Sequence, residues 1–364
     1  MLSESQVNQA LGTVQDPGLR RDLVDLGMVR RVEIRNGRVN ITLALTTLAC
    51  PLKERIREEA EQAVLALDGA TQVVIEFVQM TAEAKQKLRP EESRHGGAAH
   101  LNEVRHVISV MSGKGGVGKS LVSALLATTL RGEGHAVGVL DADITGPSIP
   151  KMFFSERPQV ELSPLAMVPP TTKSGIRVMS INLLLESEEQ AVIWRGPLVG
   201  RAIQQLWEDV LWGAMDYLIV DLPPGTSDAP LTVMQSLPQS GVVLVTSPQD
   251  LAGMVVKKAA RMAVQLGVPI LGLIENMSYF VCLETGKQHE VFGPSHAEEI
   301  ARALEIRLLG KLPLDPEIAR LCDQGRIEEY PTAGFRMLAE QIAAAAAPAR
   351  PPLYPTPAPQ PVKH

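Results

Sequence analysis

Residues 113–120 read Gly-Lys-Gly-Gly-Val-Gly-Lys-Ser, the spacing of a loop that cradles phosphate oxygens. Gly113, Gly115, Gly116 and Gly118 leave the backbone N–H groups unobstructed, so they can converge on an anion. A helix starting at the end of the loop adds its partial positive charge. Within such a loop, closed by Val117 and Gly118, Lys119 contacts the β- and γ-phosphates of ATP and Ser120 ligates Mg²⁺. Three aspartates follow in order. Asp141 and Asp143 close one apolar run and Asp221 closes another, at the edge where open α/β sheets hold ligands. Singly, an Asp behind a strand is ordinarily a turn or cap residue. The order of loop, Asp141 and Asp221 is what makes Asp221 a candidate for holding Mg²⁺ through water. Pro223-Pro224-Gly225-Thr226 forms a stiff turn after it, suited to sensing a γ-phosphate.

Thiols are the second source of chemistry. Three cysteines in 364 residues do not make a disulfide framework, and a reducing cytoplasm is the expected compartment. Cys50 precedes Pro51 at a predicted helix start, where the helix N-terminus lowers a thiol pKa. That suits a nucleophile, a redox site or a cluster ligand; a half-buried cap residue is the equal alternative. Cys322 lies in a helical run over 316–324 and reads as a core thiol. Cys282 has no case from spacing alone.

These groups need a scaffold. From residue 104, short apolar runs at 107–111, 137–140, 176–181, 217–220, 242–245 and 270–274 alternate with helical segments. Strands apolar on both faces imply a parallel sheet covered by helices on both sides. The fold class is therefore α/β: a doubly wound, mostly parallel sheet, with the phosphate loop after its first strand. A small α+β unit precedes it over 1–80. Ser3 and Gln6 there form a capping-box signal. Asn36-Gly37 joins two alternating runs as a hairpin, Pro51 can open a helix over 52–67, and 73–78 is a third strand. Residues 81–102 read as a linker and 103–345 as the nucleotide domain. Residues 346–364 form a Pro-rich tail that favours an extended chain.

Bulk properties exclude several classes. The net charge of −6 gives no broad basic field for nucleic acid or anionic lipid. The polar first twelve residues lack a secretory layout. No apolar run approaches the ~20 residues of a spanning helix.

Lys114 departs from the common loop. A second lysine here resembles the deviant loop of the family that includes MinD, ParA and the nitrogenase iron protein. The resemblance implies a nucleotide-sandwich homodimer in which Lys114 reaches the partner's nucleotide. It also implies that Asp143 orients the attacking water and that Asp141 lies near the Mg²⁺ shell. Three segments narrow the likeness: Asp-Ala-Asp-Ile-Thr-Gly-Pro-Ser-Ile-Pro at 141–150, Asp-Leu-Pro-Pro-Gly-Thr-Ser-Asp at 221–228, and Glu-Asn-Met-Ser-Tyr-Phe at 275–280. They resemble the Mrp/ApbC branch, the iron–sulfur cluster carrier ATPases. Asp16-Pro17 and residues 46–51, Thr-Thr-Leu-Ala-Cys-Pro, resemble the small domain found in front of such proteins and alone in iron–sulfur assembly systems.

The resemblance implies slow ATP hydrolysis and transfer of a cluster to apo-proteins, together with cluster-assembly partners. It implies an adenine contact at Asn276 and a base-flanking loop over 313–316. It makes Cys282 a cluster ligand. The family pattern is Cys-x-x-Cys, which would give a homodimer four thiolates for a [4Fe–4S] cluster. Here the run is Cys282-Leu283-Glu284-Thr285, and the second thiol is absent. His289, His296 and Cys322 are possible further ligands, and nothing in the sequence places them beside Cys282. An ATP-switched scaffold or chaperone without a cluster, a MinD/ParA-like positioning ATPase and a small-molecule kinase stand as alternatives.

Overall fold

The computed structural model describes residues 2–15, 22–45, 53–81, 101–144, 146–163, 166–185, 196–226 and 228–349. The readings of Asp16-Pro17 and of the run from Thr46 through Cys50 and Pro51 lie outside these residues, as do 82–100 and 350–364. The chain divides into two compact units, one of Met1–Glu103 with Glu161–Val168 and Glu208–Gly213, the other of Val104–Val160, Pro169–Trp207 and Ala214–His364.

In the first unit, α1 (Glu4–Leu11) starts on Ser3, whose hydroxyl accepts from Gln6 N while the Gln6 side chain accepts from Ser3 N. That reciprocal cap satisfies two orphan donors. β1 (Val29–Arg35) and β2 (Arg38–Leu45) pair antiparallel with Arg35 opposite Arg38. Asn36 and Gly37 between them both take positive φ, 49° and 82°, as a tight primed hairpin turn requires. α2 (Lys53–Leu65) then returns the chain to β3 (Gln72–Gln79), parallel to β2. Val39, Ile41 and Leu43 alternate inward and meet Val7 and Leu11 of α1 and Ile56, Ala60 and Val64 of α2. Those three α2 positions are spaced by four, one helical face.

In the second unit, β4 (Glu103–Ser112) leads into α3 (Lys119–Gly132), followed by β5 (Val137–Asp141) and α4 (Ile149–Phe153). A short hairpin of β6 (Glu161–Leu162) and β7 (Met167–Val168) groups with the first unit. The chain continues through β8 (Arg177–Ser180), α5 (Gly196–Glu208), β9 (Ala214–Asp221), α6 (Asp228–Ser236), β10 (Gly241–Thr246) and α7 (Asp250–Gln265). It closes with β11 (Ile270–Val281), β12 (Gln288–His289), α8 (Ala297–Ala303), β13 (Leu308–Pro313), α9 (Pro316–Asp323) and α10 (Arg336–Ala345).

Among the described residues the main sheet has the order β12-β11-β10-β4-β9-β5-β8, with β13 on the other side of β11. β10 is parallel to β4 and β11, β5 to β9 and β8, and β13 to β11; β12 alone turns back antiparallel. The reversal of chain direction across the sheet lies between β4 and its neighbours, the place such sheets reserve for ligands. β10 is buried along its whole length. α3 is buried from Val122 through Leu130, with Leu126 and Leu130 fully enclosed. Burying such a Leu stabilises the fold by roughly 1.5–3 kcal/mol.

Two features differ from the sequence reading. Ala347 and Ala349, read as the start of the tail, hydrogen-bond back to β4 through His106 and Arg105. The strand expected at 176–181 ends at Ser180, and a 3₁₀ turn takes Ile181–Leu184, because the Ser180 hydroxyl accepts from Asn182 N and caps it. No helix among the described residues is long and apolar enough to cross a membrane.

Candidate functional site

Parallel strands end together, so their last residues share one edge. Asp141 and Asp221 are register partners on β5 and β9, and both are fully buried. Between β4 and α3 the phosphate loop wraps over this edge. Gly118 takes φ +77°, and a Cβ there would lie 2.1 Å from Asn276 Nδ2. Gly113 lies so close to α7 that a Cβ would meet the Val255 carbonyl carbon at 2.4 Å. These glycines are required by contact as well as by backbone shape.

Lys119 is only 6% exposed, and its Nζ sits 2.7 Å from Asp221 Oδ2. The Ser120 hydroxyl donates to the same oxygen at 2.5 Å, and Ser123 donates to Oδ1 at 2.7 Å. A buried cation, a buried carboxylate and two hydroxyls thus form one closed set. Ser123 was not singled out from sequence, although it lies one helical turn from Lys119 and so on its face. Asp141 is held by backbone: Oδ1 accepts from Asp143 N, and Oδ2 accepts from Ser148 N and Ile149 N. Burial, and then the Asp221 charge, push the Asp141 carboxyl up to about 8; Lys119 and the Ile149 and Asp143 amides oppose the shift. Asp143 is buried too, and its Oδ1 accepts from Gly146 N at 3.2 Å. The oxygen donors Ser120, Asp221 and Asp141 suit a hard cation such as Mg²⁺, which keeps waters and phosphate oxygens in its shell.

Lys114 points away from this set. Its Nζ donates to Gln249 Oε1 at 2.5 Å, at the N-cap of α7. The Pro223-Pro224-Gly225 turn is tied to the root of the loop, since Gly225 N donates to Ser112 O at 2.9 Å.

Asn276 braces the loop: its Nδ2 donates to Val117 O at 3.0 Å. Met277 next to it takes φ +57°, a backbone state uncommon for a residue with a Cβ. The β11–β13 register is irregular across the same stretch. This kink faces a cavity of about 360 Å³ beside Gly116 and Gly118, walled by Asn276, Met277, Pro313, Leu314 and Asp315. Cys322 lines it as well. The sequence placed that thiol in the core; it is partly buried, packs against the core and also borders the cavity. Burial, and then the Asp323 charge, raise it to about 11.

Beyond Tyr279, its last partner on β13, β11 runs past the sheet and turns at Cys282 into β12. Cys282 N donates to Lys287 O, and Gly286 N donates to Cys282 O. The Thr285 hydroxyl, and then the Thr285 and Glu284 amides, lower the Cys282 thiol pKa. Phe280 pairs with His289, so His289 and Cys282 project from the same side of the hairpin, in diagonal register. Leu283 is 95% exposed at the tip. His296 lies elsewhere, at the start of α8 beside Glu299. Among the described residues no three His, Cys, Asp or Glu side chains form a ready metal cage.

A model of the NUBPL iron-transfer P-loop NTPase family matches residues 103–346, and one for iron-sulfur cluster assembly proteins matches residues 4–77. The iron-sulfur cluster carrier protein of Synechocystis sp. is 43% identical over 330 residues, covering 89% of this chain and 91% of that one. Its counterpart in Escherichia coli K12 is 34% identical over 347 residues, covering 93% and 91%. Among solved structures, a nucleotide-binding protein from Archaeoglobus fulgidus in complex with ADP is similar with a TM-score of 0.57 and 45% identity, over 63% of this chain and 89% of that one. With the phosphate loop and two buried aspartates at one sheet edge, and with most of its length matched, this chain belongs to the NUBPL iron-transfer P-loop NTPase family.

Proposed function

We propose that this protein is a cytoplasmic ATPase that carries an iron–sulfur cluster and passes it to apo-proteins. The observation that carries the ATP half is the closed set of Lys119, Ser120 and Asp221. Without nucleotide, Lys119 neutralises Asp221. When ATP enters, Lys119 would turn to the β- and γ-phosphates, and Ser120 and Asp221, with Asp141 behind them, would hold the accompanying Mg²⁺. The metal offsets phosphate charge. Asp143 orients the attacking water, and hydrolysis is slow, as suits a switch. Lys114 leaves Gln249 for the nucleotide of a second copy, making the working form a homodimer.

For the cargo, the Cys282 hairpin is the docking element. Thr285 stands where the family pattern has a second cysteine and stabilises the Cys282 thiolate instead. Two protomers then offer two thiolates, and His289, in register on the same side, adds an imidazole from each. Two thiolates and two imidazoles suit a [2Fe–2S] cluster rather than the [4Fe–4S] form that four cysteines would hold. Thr285 also favours a second reading, an ATP-switched scaffold that binds clients without a cluster.

Anaerobic reconstitution separates the two. Iron and sulfide analysis with a visible spectrum should give a stoichiometric cluster on wild type, lost in Cys282→Ala and weakened in His289→Ala. Wild type that stays metal-free while binding and hydrolysing ATP would decide for the scaffold.

A further inference from the structure

Ser123 is fully buried on α3, one turn beyond Lys119. Its hydroxyl lies 2.7 Å from Asp221 Oδ1 and 3.2 Å from the Lys119 carbonyl oxygen. A hydroxyl has one proton to donate, and the shorter contact, to a carboxylate, takes it. Among the described residues no other group donates to Oδ1, whereas Oδ2 has two partners, Lys119 Nζ and the Ser120 hydroxyl. The Asp221 carboxylate is thus gripped at both oxygens, by groups that fare differently when nucleotide arrives.

Both partners of Oδ2 belong to the phosphate loop. On the ATP-binding reading above, Lys119 goes to the phosphates and Ser120 to Mg²⁺, so Oδ2 gives up both. Ser123 lies beyond the loop with its side chain enclosed, and it keeps its bond to Oδ1. Before nucleotide binds, three groups fix the carboxylate. Afterwards Ser123 alone of the three still does, when Asp221 must aim at a water of the metal shell. A contact worth the same in both states cannot change an affinity; one whose share of the restraint grows on binding does. Outer-shell groups that orient a metal's ligands work in this way.

We infer that Ser123 is a positioning residue of the nucleotide site, which sets how far Mg²⁺ tightens ATP binding by holding the Asp221 carboxylate once Lys119 and Ser120 have left it. The inference rests on the ATP-binding reading and adds to it a residue outside the phosphate-loop motif. Removing an outer-shell partner commonly costs about 10–100-fold in metal affinity; Ser123 acts through Asp221 and a water, so roughly fivefold or more is expected here.

The test is equilibrium binding of the β,γ-imido analogue of ATP to the full chain, in excess Mg²⁺ and again in EDTA. The ratio of the two dissociation constants is the factor by which Mg²⁺ tightens binding. Ser123→Ala should lower that factor at least fivefold, chiefly through weaker binding with Mg²⁺. Ser123→Thr keeps the hydroxyl, and a helical Thr also reaches the carbonyl four residues back, so its factor should stay near that of wild type. A merely structural loss would weaken binding alike with and without Mg²⁺ and leave the factor unchanged. A smaller fall in Ser123→Ala overturns the inference, as does an equal fall in Ser123→Thr or a wild type indifferent to Mg²⁺. A wild type that binds the analogue in neither condition overturns the ATP reading itself.

Discussion

At the scale of single residues, the site is a balance of buried charges. Asp141 has no cation of its own and lies beside Asp221, which already pairs with Lys119. Its carboxyl therefore holds its proton far above the usual carboxylate range, up to about 8. In the unfolded chain the same group loses that proton near 3.8. Folding therefore takes up a proton between those values, and the contribution to stability is present at the acid end and lost as pH rises toward about 8. Asp141→Asn should flatten that decline, read as melting temperature against pH without nucleotide; parallel profiles for variant and wild type would refute it. The two described cysteines should separate by the same logic. The Cys282 thiol is pulled down by Thr285 and the Cys322 thiol is pushed up by burial. Alkylation followed by mass mapping should label Cys282 first, and Thr285→Val should move its reactivity to higher pH. Equal labelling rates of the two thiols would count against this.

At the scale of elements, the clearest dependence is of the phosphate loop on α7. Gly113→Ala would place a methyl group 2.4 Å from the Val255 carbonyl carbon. Overpacking against backbone costs about 1–3 kcal/mol, so the variant should melt lower and bind ATP more weakly; unchanged melting would mean that α7 yields freely. The strands of the main sheet were legible because burial on both faces leaves an unbroken apolar run, as in Val242, Val243, Leu244 and Val245 of β10. β13 was not, because Gly310 and Lys311 interrupt it at a partly exposed sheet edge. β12 consists of Gln288 and His289 alone and exists only because β11 runs past the sheet to pair with it. Within the site, the loop, Asp141 and Asp221 have sequence spacing behind them. Gln249 has none, since it acquires its place through a contact with Lys114 made across many residues of chain.

At the scale of the whole molecule, Lys114 is the group to which we assign a task outside its own site. It rests on Gln249, away from Asp221. Lys114→Ala should retain ATP binding yet lose ATP-dependent dimerisation, measured by light scattering with and without nucleotide; a variant still dimeric with ATP and fully active would end the bridging role. How such a molecule is best held for a surface measurement of the same association follows from β4. At its far end, Ala349 N donates to Arg105 O and Ala347 O meets His106, while its near end feeds Gly113. The eight steps along the chain from Arg105 to Gly113 span about 26 Å at ~3.3 Å per residue. A surface tether placed after residue 349 thus grips the sheet at the end opposite the phosphate loop, and an immobilised molecule presents its nucleotide edge to the solution.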